Sequence, residues 1–292
     1  MSLPFIKISA TGNDFILIDN RDGKLDARRD GRFFSRICRR RRSVGADGVI
    51  LLQKSGRADF HYVHINADGS IAEMCGNGSR AVFYFASQLG IVSQAGCFEI
   101  NGNIYRAALN GKNVTTEFIP PGEYTLQVPI AAESGYESGG YIDTGVPHFV
   151  LFVAAVDAAD VAGLGAKYRR HPFFPRGTNV DFVQIAGSNG GAHLHSGSSD
   201  RPHPKNGAHL FVRTYERGVE QETLACGTGA VAAAIISHLR YGTQSPARIS
   251  FPGGELIVTF DADFKKITLT GDVTPVYQGI LIDSDQDQQN IS

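Results

Sequence analysis

The 292-residue sequence lacks tryptophan and contains only two methionines and four cysteines. It has no run near the roughly 20 apolar residues that a membrane-spanning helix needs, and its first residues do not form the apolar segment of a signal peptide. The cysteines are widely separated and form no Cys-x-x-Cys pair, which argues against a zinc ribbon or a disulfide framework. The sequence therefore predicts a cytoplasmic protein whose cysteines are free thiols. These are Cys38, Cys75, Cys97 and Cys226.

The sequence also has no excess of charge of either sign, because 28 Lys and Arg residues balance 29 Asp and Glu residues to a net charge of -1. One arginine-rich stretch, residues 28–42, is the exception. Phe33, Phe34, Ile37 and Cys38 recur within it at helical spacing, so the pattern favours a solvated helix face over a nucleic-acid site. We expect neither a nucleic acid nor a membrane as a partner.

The chain contains an internal repeat. Cys75-Gly-Asn-Gly and Cys226-Gly-Thr-Gly each lead into an amphipathic helical pattern. Matching segments precede them in the same order: residues 11–18 and 144–152, 45–52 and 177–183, and 59–66 and 209–217. Such order predicts two structurally equivalent halves.

Alternation and turn signals predict more strands than helices. In the first half we expect strands near 3–8, 14–19, 48–53, 59–66, 97–101, 104–109 and 112–118, with helices near 30–41 and 76–89. In the second half we expect strands near 141–144, 148–154, 180–186, 208–215, 247–251, 255–260 and 266–271, with helices near 157–169 and 227–240. A last strand near 275–282 is expected to return to the first half.

Many of these strands adjoin through hairpin-length turns, which indicates an α+β fold of two pseudo-symmetric domains, each a barrel-like, mostly antiparallel sheet. The predicted domains are 1–119 plus 273–284, carrying Cys75, and 120–272, carrying Cys226. Pro120-Pro121-Gly122 is the expected linker. The Gly-, Ser- and His-rich loop 187–207 and the polar tail after Asp283 stand outside this pattern.

The two repeated cysteines are the candidate catalytic groups. A cysteine immediately before a helix lies near unpaired backbone N–H groups and the positive end of the helix dipole, which favours the reactive thiolate. A lone cysteine there is more simply a small buried residue, but pseudo-twofold symmetry would bring the two helix starts face to face. A thiolate and a thiol that exchange roles are suited to inverting a carbon centre next to a carboxylate, since one takes a proton and the other returns one.

Other residues fit the same chemistry. The amides of Gly76, Asn77, Gly227 and Thr228, at the two helix starts, are expected to hold the substrate carboxylate. His148 and Glu216 are candidates for tuning the thiols by hydrogen bonding and charge. Further candidate site residues end strands or lie in turns, where ordinary turn chemistry is the simpler explanation for each alone, but as a set they are spread over both halves. They are Asn13, Asn66, Asn179 and Arg217.

Two features of the sequence offer competing interpretations, a nicotinamide-binding turn and a histidine metal site. The turns after Cys75 and Cys226 match a relaxed dinucleotide-binding pattern, but no buried parallel strand precedes them and hairpins follow, so a nicotinamide enzyme is disfavoured. His193, His195 and His203 lie in the polar loop without the fixed spacing of a metal site. We expect neither a metal nor a cofactor.

At these motifs the chain resembles the diaminopimelate epimerase family along nearly its whole length. The stretches that carry the resemblance are Thr11-Gly-Asn-Asp-Phe, Gly45-Ala-Asp-Gly, Asn66-Ala-Asp-Gly-Ser, Met74-Cys-Gly-Asn-Gly-Ser-Arg80, Tyr215-Glu-Arg-Gly and Ala225-Cys-Gly-Thr-Gly-Ala230. The resemblance implies two domains that each wrap strands around a central helix, a homodimer, no cofactor, and conversion of LL- to meso-diaminopimelate for lysine and peptidoglycan synthesis. It also implies that Cys75 and Cys226 are the acid–base pair, that His148 and Glu216 modulate them, and that Glu216 helps to hold the reacting amino group. The same resemblance implies that the substrate, including its distal end, is recognised by Asn13, Asn66, Asn179 and Arg217.

One position departs from the family pattern. Many members have Gly-Asn-Pro-His where this chain has Gly145-Val-Pro-His148, and Val146 has no side-chain donor for the distal amino-acid group. Losing such a contact costs about 0.5–3 kcal/mol unless water replaces it. A racemase for another amino acid, including a proline-type racemase, and a non-catalytic ligand-binding relative are the alternatives on the same fold. The proline-type family places a histidine where this chain has Asn77.

Overall fold

The structure is a computed structural model that describes residues 2–26, 31–72, 74–130, 136, 138–187 and 207–282. The chain divides into two compact units, Met1–Val114 with Val273–Ser292, and Thr115–Asp272. The loop 188–206, with the three histidines considered above, and the tail from residue 283 lie outside the described residues.

The first unit is a sheet in which the last strand of the chain pairs with the first. Its order is β17, β1, β2, β3, β4, β5, β6, with β2–β3 and β4–β5 parallel and the other pairs antiparallel. The strands are β1 Ser2–Ala10, β2 Asn13–Asp19, β3 Gly48–Gln53, β4 Phe60–Asn66, β5 Ala95–Ile100, β6 Asn103–Asn110 and β17 Thr274–Ile282. The next strand in the chain, β7 Asn113–Phe118, begins in this unit, and its last four residues belong to the second.

Two helices cover opposite faces of this sheet. The longer one, α2 (Gly76–Gln88), buries Ala81, Val82 and Phe83 in a cluster with the inward residues of seven strands. The shorter one, α1 (Arg32–Cys38), packs its apolar side on a second cluster. The apolar spacing within the arginine-rich stretch therefore belongs to a helix packed on the sheet.

The second unit repeats this plan. Its strands are β8 Tyr124–Thr125, β9 Gly140–Asp143, β10 Pro147–Phe152, β11 Asn179–Ile185, β12 Ala208–Glu216, β13 Gln221–Thr223, β14 Ala247–Phe251, β15 Gly254–Phe260 and β16 Ile267–Asp272. The order is β8, β9, β10, β11, β12, β14, β15, β16, and β13 folds back on β12 as a short hairpin. The pairs β10–β11 and β12–β14 are parallel.

The central helix here is α4 (Gly227–Tyr241), whose first eleven residues are all buried. Such all-round burial needs small side chains, which the Ala-rich sequence supplies. The outer helix α3 (Val161–Arg169) starts at Asp160, whose side chain accepts a hydrogen bond from the Gly163 N–H. No helix among the described residues is long and apolar enough to cross a membrane.

The α+β fold, the two equivalent halves and nearly all the predicted strands and helices are confirmed. Four details differ. The helix expected near 157–169 is a short 3₁₀ helix, Val156–Ala158, followed by α3, and the helix expected near 30–41 is only α1. The short strands β8 and β13 were missed because two- and three-residue strands carry too few residues for a periodic pattern. Each mostly antiparallel sheet also contains two parallel pairs.

The aromatic centre of the first unit gives a test of stability. Phe98 is fully buried and its ring contacts Phe60, Tyr62 and Tyr105. We expect Phe98→Ala to lower the free energy of unfolding by about 3–5 kcal/mol, because it leaves a cavity among rigid rings. Urea unfolding followed by fluorescence and far-UV circular dichroism measures the loss. Ile104→Ala, on the exposed side of the adjacent strand, is the control, and equal losses for both would contradict this account of the core.

Candidate active site

Both repeated cysteines occupy the residue immediately before a central helix. The Cys75 Sγ accepts a hydrogen bond from the Gly78 N–H at 3.5 Å, and the Cys226 Sγ accepts one from the Gly229 N–H at 3.4 Å. Each sulfur therefore replaces the side-chain oxygen that usually caps a helix. We call the surroundings of Cys75 in the first unit the N-terminal half-site, and those of Cys226 in the second unit the C-terminal half-site.

Strand register makes the two half-sites comparable residue by residue. In the first unit Phe15 pairs with Gly48, and Ile50 pairs with His64. In the second unit His148 pairs with Asn179, and Asp181 pairs with Thr214. The equivalent pairs lie on the same strands relative to the central helix, so Phe15 corresponds to His148, Ile50 to Asp181 and His64 to Thr214.

The C-terminal half-site contains a continuous line of buried polar side chains. The Cys226 Sγ lies 3.3 Å from the Thr228 Oγ1, and that hydroxyl lies 2.9 Å from the His148 Nε2. The His148 Nδ1 is 2.7 Å from the Asp181 Oδ2, and the Thr214 hydroxyl donates to the Asp181 Oδ1 at 2.7 Å. His148, Asp181 and Thr214 are fully buried. The thiol is thus joined by hydrogen-bonding groups to a carboxylate that has no access to water.

The other predicted residues of the second unit adjoin this line. The Asn179 Nδ2 lies 3.3 Å from the His148 Nε2, and the Asn179 Oδ1 accepts the Arg217 backbone N–H at 2.7 Å. Glu216 accepts a hydrogen bond from the Thr223 hydroxyl at 2.8 Å and has the Cys226 thiol as a further partner. Although part of the Glu216 surface stays accessible, burial by its neighbours raises the pKa of its carboxyl group.

Electrostatics at Cys226 oppose the effect expected of a helix start. Burial raises the pKa of the Cys226 thiol well above its ordinary value, and the charges of Glu216 and Asp181 raise it further. Hydrogen bonds from Thr228 and from the Gly229 N–H lower it, but by less. The expectation that the helix start alone makes this cysteine acidic is therefore wrong, because desolvation and two carboxylates outweigh the dipole. Cys226 rests as a thiol.

In the N-terminal half-site, the strand positions beneath the helix carry different side chains. Phe15 and Ile50 are apolar, and burial lowers the pKa of His64 to about 4, so its ring is neutral. The Cys75 backbone carbonyl accepts from the Ser79 hydroxyl at 3.0 Å, and that hydroxyl contacts the buried Tyr62 hydroxyl at 2.8 Å. None of the three side chains beneath the helix, Phe15, Ile50 and His64, carries a charge at neutral pH.

The predicted residues Asn13 and Asn77 meet in this half-site. The Asn77 Nδ2 donates to the Asn13 Oδ1. The fully buried Arg80 donates to the Asn77 Oδ1 at 2.6 Å, to the Thr11 hydroxyl at 2.8 Å and to the Gly76 carbonyl at 3.1 Å. This guanidinium ties the turn before β2 to the first turn of α2, and it places a cation under the helix start. Asn66, at the end of β4, instead donates to the Ser70 hydroxyl at 3.0 Å.

A charged cluster supports Asn13 from the side away from α2. The Asn13 Nδ2 donates to the Asp47 Oδ2 at 3.3 Å, and Arg40 bridges Asp47 and Asp14 at 2.8 and 2.6 Å. Lys7 contacts Asp14 at 2.9 Å. Burial raises the pKa of Asp14, but Arg40 and Lys7 lower it more, and the net result is about 2.

Several residues that build these half-sites were not identifiable as such from the sequence. Asp181 and Arg80 each place a charge on the inward side of an otherwise apolar strand or helix, and that violation of the pattern was a usable signal. Thr214 and Thr11 gave no such signal, since threonine is ordinary in strands and turns. Cys38 is buried, which raises its thiol pKa to about 12.

Comparisons with known proteins cover the whole chain. The family model described as "Diaminopimelate epimerase" matches residues 5–116 and 140–276. The diaminopimelate epimerase of Aquifex aeolicus is 40% identical over 96% of this chain and 98% of its own length. The enzyme of the same name from a Hydrogenobaculum species is 38% identical over 94% and 97%.

Solved structures share the fold. A phenazine biosynthesis protein of the PhzF family from Bacillus anthracis aligns with a TM-score of 0.72 at 12% identity, over 97% of this chain and 99% of that one. A probable proline racemase from Agrobacterium radiobacter aligns with a TM-score of 0.67 at 15% identity, over 98% and 94%.

The charged cluster beside Asn13 predicts a pH-dependent stability. Because the folded-state pKa of Asp14, about 2, lies below its ordinary 3.8, its stabilisation is fully present above about pH 4 and is lost as the pH falls towards 2. We expect Asp14→Asn to lower the free energy of unfolding at neutral pH, and this deficit to shrink as the pH falls through that window. Urea unfolding at a series of pH values measures it. The exposed Asp272→Asn is the control, and a deficit that stays constant down to pH 2 would contradict the account.

Proposed function

The chain belongs to the diaminopimelate epimerase family of amino-acid epimerases, and on that premise we propose that it interconverts LL- and meso-diaminopimelate without a cofactor. The reaction supplies meso-diaminopimelate for lysine and peptidoglycan synthesis. Whole-chain identity of 33–40% to relatives that bear this enzyme name supports the substrate. The repeated cysteine turns support the chemistry.

The observation that carries the mechanism is the unequal surroundings of two equivalent cysteines. Cys226 lies beside two carboxylates that hold its proton on sulfur. Cys75 lies at a helix start above uncharged strand side chains, and the Arg80 guanidinium donates a hydrogen bond to the Gly76 carbonyl in the same turn. In the resting enzyme Cys75 is the thiolate that removes the α-proton, and Cys226 is the thiol that returns one to the opposite face. After turnover in one direction the two have exchanged roles, which equips them for the reverse reaction.

The helix starts also provide for the carboxylate next to the reacting carbon. The first turns of α2 and α4 place the backbone N–H groups of Gly76, Asn77, Gly227 and Thr228 at the positive ends of the helix dipoles. They hold the substrate carboxylate and stabilise the negative charge that develops on it as the proton leaves. Glu216, within reach of Cys226, holds the reacting amino group.

The substrate, including its distal end, is bound by Asn13, Asn66, Asn179 and Arg217. Asn179 has one amide hydrogen directed to His148 and its oxygen bonded to the Arg217 N–H, so its second amide hydrogen serves the substrate. Val146 lies in the turn closed by the Thr144 N–H donating to the Val146 carbonyl. Since the Val146 side chain offers no hydrogen-bond donor, a neighbouring residue or water binds the distal amino group. For the same reason, a racemase for another amino acid is the second candidate function.

Incubation with LL-diaminopimelate in deuterium oxide, without added cofactor, tests the assignment. We expect α-proton exchange and a change of optical rotation as meso product forms. Cys75→Ala and Cys226→Ala are each expected to lower the rate at least about 100-fold, because each removes one of the two proton-transfer groups. Cys97→Ala, which lies in β5, is the matched control. Absence of exchange by the folded, reduced protein sinks the substrate assignment, and full activity of either half-site variant sinks the two-thiol mechanism.

The enzyme functions as a homodimer in the proposal, and an apolar stripe on the first unit supports this. On one side of the β1–β17 pair, Pro4 lies opposite Ile280. Ile280 and Ile282 on that side are 62% and 86% exposed, and Val276, at the bulge of β17, is 55% exposed. Adjacent exposed apolar side chains of this kind are typical of protein–protein contacts.

We expect Ile280→Glu to weaken the dimer because it places a charge at the centre of that stripe. Sedimentation velocity over a range of concentrations measures the monomer fraction. Ile257→Glu, at an exposed apolar position on β15 of the second unit, is the control. A wild-type protein that is monomeric at every concentration would refute the homodimer.

The reaction requires both thiols in reduced form, which agrees with a cytoplasmic location. Two thiols that serve one carbon atom are also able to form a disulfide, so the oxidised enzyme is expected to be inactive until it is reduced.

A further inference from the structure

We propose that Glu220 is a positioning residue for substrate binding: its carboxylate, paired with Arg169 at the end of α3, holds the turn that carries Arg217. This inference rests on the proposed function, in which Arg217 binds the substrate away from the reacting carbon. Glu220 acts on the substrate through Arg217.

The turn in question joins β12 to β13 and consists of residues 217–220. Glu216, just before it, still belongs to β12, where it pairs with β13 and accepts the Thr223 hydroxyl at 2.8 Å. Arg217 is the first residue beyond the strand, and its backbone N–H donates to the Asn179 side chain at 2.7 Å. Strand pairing therefore fixes Glu216, whereas the position of Arg217 depends on how the turn is held.

The Glu220 carboxylate closes this turn and joins it to α3. Its Oε1 accepts the Gly218 backbone N–H at 3.2 Å and the Arg169 Nε at 2.9 Å, and its Oε2 accepts from Arg170 at 3.3 Å. Burial raises the pKa of Glu220, but the Gly218 N–H and the two arginines lower it more, so the carboxylate stays ionised. One side chain thus binds both the backbone next to Arg217 and the last turn of a helix.

The backbone of Glu220 indicates that outside contacts hold the turn. Its φ is +59°, in the left-handed region that is unfavourable for a residue with a long side chain. Such a conformation persists where the surroundings determine it. Besides the carboxylate contacts, the Tyr215 hydroxyl donates to the Glu220 carbonyl at 2.8 Å. Tyr215 is itself packed against α3 at Gly165, where a Cβ would lie 2.6 Å from the Tyr215 Cβ.

Arg169 also anchors a second chain segment that carries a substrate-binding residue. Its carbonyl accepts the Thr178 N–H at 3.2 Å, immediately before Asn179. Its side chain crosses the backbone of Gly177, where a Cβ would lie 1.9 Å from the Arg169 Nη1. The end of α3 therefore supports the segments of both Asn179 and Arg217.

Glu222 provides a matched comparison. It lies in β13, and its Oε1 accepts from the Arg213 Nε at 2.6 Å. Its side chain is 31% exposed, against 32% for Glu220. Arg213 also donates to the carbonyls of Val156 and Ala159, so this pair supports a different part of the unit. Loss of either pair affects stability similarly, but the Glu220 pair is the one of the two that holds the turn.

The kinetic experiment measures kcat and KM for α-proton exchange of LL-diaminopimelate. We expect Glu220→Gln and Arg169→Met to raise KM about threefold to fivefold, the effect of a partly exposed ion pair. The value of kcat is expected to stay within about twofold, because a contact remote from the reacting carbon is made equally before and in the transition state. Arg169→Lys keeps the charge and is expected to recover part of the loss. Glu222→Gln is expected to leave KM and kcat unchanged.

Glu220→Gly separates the carboxylate from the backbone conformation. Glycine adopts a φ of +59° without strain, so a residue that serves only to fit the turn is replaced by glycine without any change in KM. We expect KM to rise as in Glu220→Gln. A wild-type KM in Glu220→Gly overturns the proposal, and far-UV circular dichroism verifies the fold of each variant. If Arg169→Met does not fold, the two Glu220 variants decide.

Hydrogen exchange followed by mass spectrometry tests the same contact without substrate. We expect the amides of residues 217–220 to exchange about threefold faster or more in Glu220→Gln, while those of β12 keep their rate. Unchanged exchange in the turn, or faster exchange together with a wild-type KM, contradicts the positioning role. If the wild-type protein does not epimerise diaminopimelate, the proposed function fails, and exchange still decides whether the Glu220–Arg169 pair holds the turn.

Discussion

The close approach of each central helix to the strands beneath it is the constraint on which both half-sites depend. The third residue of each helix is a glycine, Gly78 or Gly229. A Cβ there would lie 3.3 Å from the Ile50 side chain in the first unit and 2.6 Å from the Asp181 Oδ1 in the second. Without a side chain at this position the first turn lies directly on the sheet, and the N–H of the same glycine is directed at the cysteine sulfur. Glycine at this position thus determines how closely the helix packs on the sheet, and its N–H donates to the cysteine sulfur that caps the helix.

Duplication gave the two half-sites the same backbone, and divergence of a few inward side chains gave them different electrostatics. The strand positions that carry Phe15, Ile50 and His64 under α2 carry His148, Asp181 and Thr214 under α4. An acid–base reaction with two identical groups needs one group protonated and the other not. Two cysteines in identical surroundings would have equal proton affinity, whereas the carboxylates of Glu216 and Asp181 raise the pKa of Cys226 and, in the proposed mechanism, keep the proton there.

Much of the fold could be predicted from the sequence, because long amphipathic strands and helices carry their periodicity in many residues. The cysteines and the Gly-x-Gly turns could be identified for a similar reason, since they occur twice. The polar groups beneath the helices could not be placed, because their partners lie 33 to 80 residues apart in the chain. Asp181 and Arg80 violate the apolar pattern in β11 and α2, which marks them as unusual but does not say which group each contacts. Such contacts can be assigned only once the strand register is known.

The surroundings of Cys226 also show why a helix start is an incomplete criterion for a reactive thiol. The helix dipole contributes a fraction of a charge at a few ångströms, whereas desolvation in a closed site costs several kcal/mol per ion. When both act on one sulfur the second is larger, and the raised pKa of Cys226 agrees with this order. In the proposed mechanism Cys226 therefore enters turnover as the thiol, and the substrate carbon is the acceptor of its proton.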